Sequence, residues 1–222
     1  MKYLLSFFIY SFLGWLMEVC VSFKSEKKFV NRGFLIGPYC PIYGCGCLLI
    51  ILFLDRYKDD LMVLFIMSIF LCGTLEYLTS YLMEKLYNAR WWDYSDKKFN
   101  INGRVCLSTL IPFGILGCVM LRVINPKVME MMNLINPKIL YTIVIVITTL
   151  FVVDNIVTLE IMNNIKQEFN NVRKDYTIKI RKKVNEIIGS KSKLHQRIID
   201  AFPNYKMLQK NIDIRGKFKR KK

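Results

Sequence analysis

The chain has 222 residues, of which 53% are hydrophobic, and a formal net charge of +16. Eighteen Lys and Arg, against five Asp and Glu, fall after Met162, so most of the charge belongs to one basic tail. A polybasic segment next to long apolar runs has anionic lipid as its simplest partner, at about 1 kcal/mol per basic residue near the surface, and nucleic acid is not expected.

Five apolar runs follow one another: Tyr3–Phe23, Gly33–Leu54, Leu61–Met83, Val105–Ile124 and Ile139–Met162. Each has about the 20 residues that an α-helix needs to cross roughly 30 Å of hydrocarbon. A barrel strand would alternate strictly over about 10 residues, whereas these runs are apolar on all faces. The expected fold is all-α: a polytopic integral membrane bundle of five spans (residues 1–162) with an amphipathic, basic, helical cytoplasmic tail (residues 163–222).

The first run is too long for a signal-peptide core, carries Glu18, and is followed by Lys instead of a small-residue cleavage site, so a retained helix is expected. Ser11, Trp15 and Glu18 share one helical stripe. The second run opens on Gly33-Phe-Leu-Ile-Gly-Pro-Tyr-Cys-Pro. Pro38 and Pro41 remove backbone donors, and Gly33, Gly37, Gly44 and Gly46 loosen the chain. Two forms fit: a broken or re-entrant start covered by protein or by a water-filled cavity, or a Pro-kinked helix packed through small residues.

The third run places Glu76, Ser80 and Glu84 on one stripe. The loop after it carries Trp91, Trp92 and Tyr94, which suit a headgroup-level belt, and Asn102-Gly103, a turn signal. Between the fourth and fifth runs, Ile-Asn-Pro-Lys occurs at 124–127 and again at 135–138, which predicts a small interfacial helix with turns at both ends. In the tail, Ile165, Phe169, Val172, Tyr176, Ile180, Val184 and Ile187 form an apolar stripe that continues the fifth span as far as Gly189. A short helix over Lys193–Ala201 and a basic end at Lys217–Lys222 complete the expectation.

Charge sets the orientation. The first and third loops and the tail hold 27 of the 33 Lys and Arg, and the N-terminus with the other two loops holds 6. The positive-inside rule places the N-terminus outside and the tail in the cytoplasm.

Acidic side chains within the spans cost about 2.5–3.5 kcal/mol each on insertion scales and rarely face lipid. Glu18, Glu76 and Asp154 each lie about two helical turns before the cytoplasmic end. The broken half of the second run and Arg32, Arg90 and Arg104 share that depth, so Glu18, Glu76 and the three Arg are expected to converge in one buried cluster. As a functional site it would bind or translocate a cation, a proton or a polar head group. As a structural one it would be an Arg–Glu network holding loops onto helices.

All seven Cys lie in or beside the apolar runs, which argues against a disulfide framework. The Cys40, Cys45, Cys47 spacing is not a zinc pattern and the single His, His195, is far away, so no metal or other cofactor is expected. The chain has no P-loop, no G-x-S-x-G and no H-E-x-x-H, so there is no ATPase, hydrolase or metalloprotease motif and nothing marks a catalytic residue.

Four segments carry a resemblance: Tyr10–Glu18, Asn31–Gly44, Trp91–Leu107 and Gln196–Asn204. With them the chain resembles the bacterial putative ABC-transporter type IV (CmpB-type) membrane proteins over nearly its full length. The resemblance implies a permease-like protein of the bacterial plasma membrane that needs a separate nucleotide-binding subunit or another energy source. The alternatives are a membrane-embedded enzyme or lipid-handling protein at the cytoplasmic face, and a non-transporting scaffold. The motif positions Trp15, Glu18, Arg32, Gly33, Pro38, Pro41, Trp91, Trp92, Asp93, Asn102 and Arg104, joined by Glu76, Arg90 and Asp154 from the charge argument, form the candidate binding or translocation site.

Overall fold

The computed structural model describes residues 1–27, 29–87 and 89–172, together with Arg197, Lys206 and Met207. It is mostly helical. The helices are α1 (Lys2–Glu26), α2 (Pro41–Leu54), α3 (Leu61–Tyr87), α4 (Leu107–Val119), α5 (Asn125–Leu134) and α6 (Pro137–Val172). Four stretches are long and apolar enough to cross a membrane: Lys2–Lys24, Leu61–Tyr87, Leu107–Leu134 and Pro137–Asn164.

The second apolar run is helical only from Pro41, which sits in the first turn of α2, where its missing N–H costs nothing. At 14 residues, α2 is about 21 Å long, short of the hydrocarbon thickness by itself. Residues 29–40 before it form no helix or strand.

The turn expected at Ile124–Lys127 is absent. A π-helical turn over Met120–Ile124 links α4 directly to α5. An α-helical Pro126 would lose a hydrogen bond and press its ring on the carbonyl four residues back; the wider π turn relieves that clash. The second Ile-Asn-Pro-Lys does turn the chain, with the Asn136 side chain accepting the Lys138 N–H at 3.0 Å and Pro137 opening α6. α6 continues past Met162 to Val172. The Gly189 stop, the Lys193–Ala201 helix apart from Arg197, and the Lys217–Lys222 end lie outside the described residues.

Two short antiparallel ladders add to the expected all-α fold. β2 (Asn100–Ile101) pairs with β3 (Val105–Cys106) around the Asn102-Gly103 turn, where φ is +53° and +68°. β1 (Ala89–Arg90) pairs with β4 (Lys206–Met207), Ala89 opposite Met207 and Arg90 opposite Lys206. Val105 and Cys106 therefore belong to a strand, and the fourth helix starts at Leu107.

Small residues let the helices approach. A Cβ on Gly44 would clash with Ser11 Oγ of α1, and one on Gly117 with Ser68 Oγ of α3. One core gathers Tyr10, Ile50, Ile51, Leu54, Leu64, Met120 and Leu121. A second joins Leu5, Met132, Leu140 and Val144. The Tyr10 hydroxyl donates to buried Asn125 at 2.7 Å and ties α1 to α5. Large apolar side chains such as Phe70, Leu82, Leu150 and Ile156 stay exposed, as a lipid-facing surface requires. The start of α1 meets the end of α5 through Lys2 and Asn133. Residues 29–40 and 89–106 pack together at the other end, where Phe34 meets Tyr87 and Trp91 edge-on or tilted.

Candidate functional site

The non-helical segment 29–40 turns back into the bundle. Its last residue, Cys40, donates its backbone N–H to the Ser11 carbonyl at 2.9 Å. Ser11 lies 15 residues before the end of α1, which is about 22 Å along the helix. Backbone that deep needs internal partners. Asp154 of α6 accepts the Ile36 N–H at 2.9 Å, the Gly37 N–H at 2.7 Å and the hydroxyls of Tyr39 and Thr158. Asn31 accepts the Trp15 indole N–H at 2.8 Å and the Gly33 N–H at 3.0 Å, and donates to the Ile36 carbonyl at 3.1 Å. Arg197 donates to the Gly33 carbonyl at 2.9 Å and to the Leu35 carbonyl. Asp154 is thus fully engaged as an anchor for this segment.

A second layer lies over the end of α3. Glu84 accepts Arg90 Nε at 2.9 Å and forms an ion pair with Arg104 Nη1 at 2.8 Å. Arg104 is 7% exposed, and its guanidinium carbon lies 5.5 Å and 5.4 Å from the ring centroids of Tyr77 and Tyr81. Arg90 also reaches Asp93 at 3.8 Å. Asp93 holds the turn through the Ser95 N–H at 3.1 Å. Trp92 donates to the Arg104 carbonyl at 2.9 Å, and Asn102 donates to the Tyr77 hydroxyl at 2.9 Å. Trp91 is buried between Phe34 and Tyr87.

Between these layers lie the two remaining carboxylates. Glu18 of α1 accepts the Tyr43 hydroxyl of α2. Glu76 of α3 is buried, with the Tyr94 hydroxyl at 3.4 Å and the Thr109 hydroxyl at 3.5 Å. Both contacts are longer than an ordinary O–H···O bond of about 2.5–3.0 Å. Thr109 has one proton and a better acceptor in the Cys106 carbonyl at 2.9 Å. Glu18 is close enough to act electrostatically on Glu76, Tyr94 and Cys40. Burial first, then the Glu76 carboxylate, pushes the Tyr94 hydroxyl above its usual range, so it remains a neutral donor. Among the described residues neither Glu18 nor Glu76 has an ion-pair partner.

The expected cluster is therefore divided. Arg90 and Arg104 meet Glu84 and not Glu18 or Glu76. Glu84 forms two short ion pairs, whereas Glu18 and Glu76 face hydroxyls. Gly33 is buried in the non-helical segment 29–40, Arg32 is half-buried beside it, Pro38 is exposed and Pro41 opens α2. Sequence reasoning did not single out Tyr39, Tyr43 or Arg197, and it read Tyr94 as part of a headgroup-level belt and not as a partner of Glu76. All four lie inside the segments that carry the family resemblance. Among the described residues, no group of three or more His, Cys, Asp and Glu is arranged to hold a metal ion.

A family model described as "Putative ABC-transporter type IV" matches residues 5–159. No curated protein and no solved structure matches the chain.

Proposed function

The chain belongs to the putative ABC-transporter type IV family, and we propose that it is the permease-like membrane component of a bacterial plasma-membrane transporter. Its sequence has no P-loop, so a separate nucleotide-binding subunit would energise it. Segment 29–40 and α2 together would make the fifth crossing, entering and returning on one side before α2 completes the passage. The N-terminus would lie outside. The end that carries Arg90, Arg104 and Arg197 would face the cytoplasm, with the basic tail against anionic lipid.

The observation that carries this reading is the pair Glu18 and Glu76. Both lie inside the helices, face tyrosine hydroxyls from α2 and from the 89–106 loop, and have no cation beside them among the described residues. Two carboxylates close enough to repel would be costly in a purely structural role. They suit a small cation, held by Glu18 and Glu76 with the Tyr43 and Tyr94 oxygens as further ligands. The re-entrant segment would form one wall of the path, as interrupted helices do where they line a cavity.

Purification of the native protein in mild detergent tests the transporter assignment. A co-purifying subunit with ATPase activity is the expected result. A complex whose partners are only lipid-modifying enzymes would replace transport with lipid handling.

A further inference from the structure

We propose that Arg197 positions the re-entrant segment, fastening the chain beyond α6 across this end of the bundle and shielding Cys40, and the Glu18 level behind it, from water. Two contacts carry this, and an electrostatic proximity supports it. The Arg197 guanidinium donates to the carbonyls of Gly33 and Leu35, 164 and 162 residues away in sequence. It approaches Asp154 and Cys40 closely enough to act on both electrostatically. Nine residues on, Lys206–Met207 pairs with Ala89–Arg90, the strand whose Arg90 is bound to Glu84. The same chain end therefore touches both segments that cover the site.

The chemistry explains why an arginine stands here. Segment 33–37 has carbonyls and N–H groups that neither helix nor sheet can satisfy. The carboxylate of Asp154 takes the N–H groups of Ile36 and Gly37, while the cation of Arg197 takes the carbonyls of Gly33 and Leu35. Each charge meets the end of the peptide dipole that it stabilises. Both bonds leave from Nη2, whose two N–H groups can reach two carbonyls while the guanidinium keeps its charge. Leu35 is 2% exposed and Cys40 7%, and Gly33 is buried too, so the segment is closed to solvent where Arg197 grips it, while Ile36 and Gly37 at Asp154 are half-buried.

The inference concerns access to the site and not the identity of the solute, so its failure leaves the transporter assignment standing, and the reverse. Full-length protein that retains Cys40 as its only cysteine would be labelled with a maleimide. Arg197→Ala should raise the Cys40 labelling rate by about tenfold, the factor expected when a charge-assisted hydrogen bond to buried carbonyls is lost, and Arg197→Lys should fall between. Ala89→Cys with Met207→Cys, added to the same background, should cross-link, and the oxidised form should label at Cys40 more slowly than the reduced form. That second comparison decides the matter if Arg197→Ala does not fold. An unchanged Cys40 rate in folded Arg197→Ala, or failure of the 89–207 pair to cross-link, would overturn the proposal.

Discussion

The Gly37 backbone N–H lies 2.7 Å from the Asp154 carboxylate, across 117 residues of sequence. An acid placed inside an apolar helix is thereby consumed by backbone groups of another segment, and Asp154 has a structural role that Glu18 and Glu76 lack. The three intramembrane acids, alike in sequence, separate by what they touch.

Asp154→Ala should lower stability by about 2 kcal/mol, because it leaves two half-buried N–H groups, those of Ile36 and Gly37, without an acceptor. Asp154→Asn should fall between, since its amide keeps one acceptor oxygen but turns an NH2 toward donors. Melting in detergent, followed by helical circular dichroism, measures both. An Asp154→Ala protein that melts with the wild type would remove the anchoring role.

Glu84→Gln should cost about 2 kcal/mol, discounted from a fully buried pair because Arg90 remains partly exposed. The consequence should be local. Limited proteolysis should cut the 89–106 loop faster, because Arg104 loses its anionic partner while still buried. A loop equally resistant in both proteins would show that the tyrosine rings hold Arg104 without Glu84.

Glu76→Gln should behave in the opposite way. It breaks no ion pair among the described residues and removes a carboxylate from a site with long contacts only. Stability should be unchanged or higher than wild type. A loss comparable to that of Glu84→Gln would mean that Glu76 is a structural partner.

Orientation predicts accessibility. In intact cells, Asp96→Cys in the 89–106 loop should be protected from an impermeant thiol reagent, and Lys58→Cys between α2 and α3 should react. Labelling at position 96 would place the Arg-rich end outside.

Hydropathy made the long helices readable, since a run of apolar residues constrains length and solvent together. Gly33, Gly37 and Pro38 fall where the second run is not helical, although the sequence left a kinked helix open and Gly44 and Gly46 do lie within α2; Asn102-Gly103 marked a turn that takes positive φ. Other features depended on contacts distant in sequence. Ile124-Asn125-Pro126 reads as a turn locally, yet the helix passes through it by a π turn while Asn125 is buried against Tyr10. Depth alone grouped Arg90 and Arg104 with Glu18 and Glu76. Which acid they meet depends on how the 89–106 loop folds back over the last turns of α3, and Glu84 lies there. The tyrosine hydroxyls and Arg197 gave no local pattern, because a single polar side chain acquires a partner only in three dimensions.

The central claim is that Glu18 and Glu76 hold a small cation. Its most direct test is the melting temperature of the purified full-length protein in choline chloride against sodium, potassium, magnesium and calcium chloride at constant ionic strength, since a ligand that binds only the folded state raises stability. At least one of the four cations should raise the melting temperature above that in choline, and the increment should vanish in both Glu18→Gln and Glu76→Gln. No increment with any cation, or the same increment in both variants, would contradict the account.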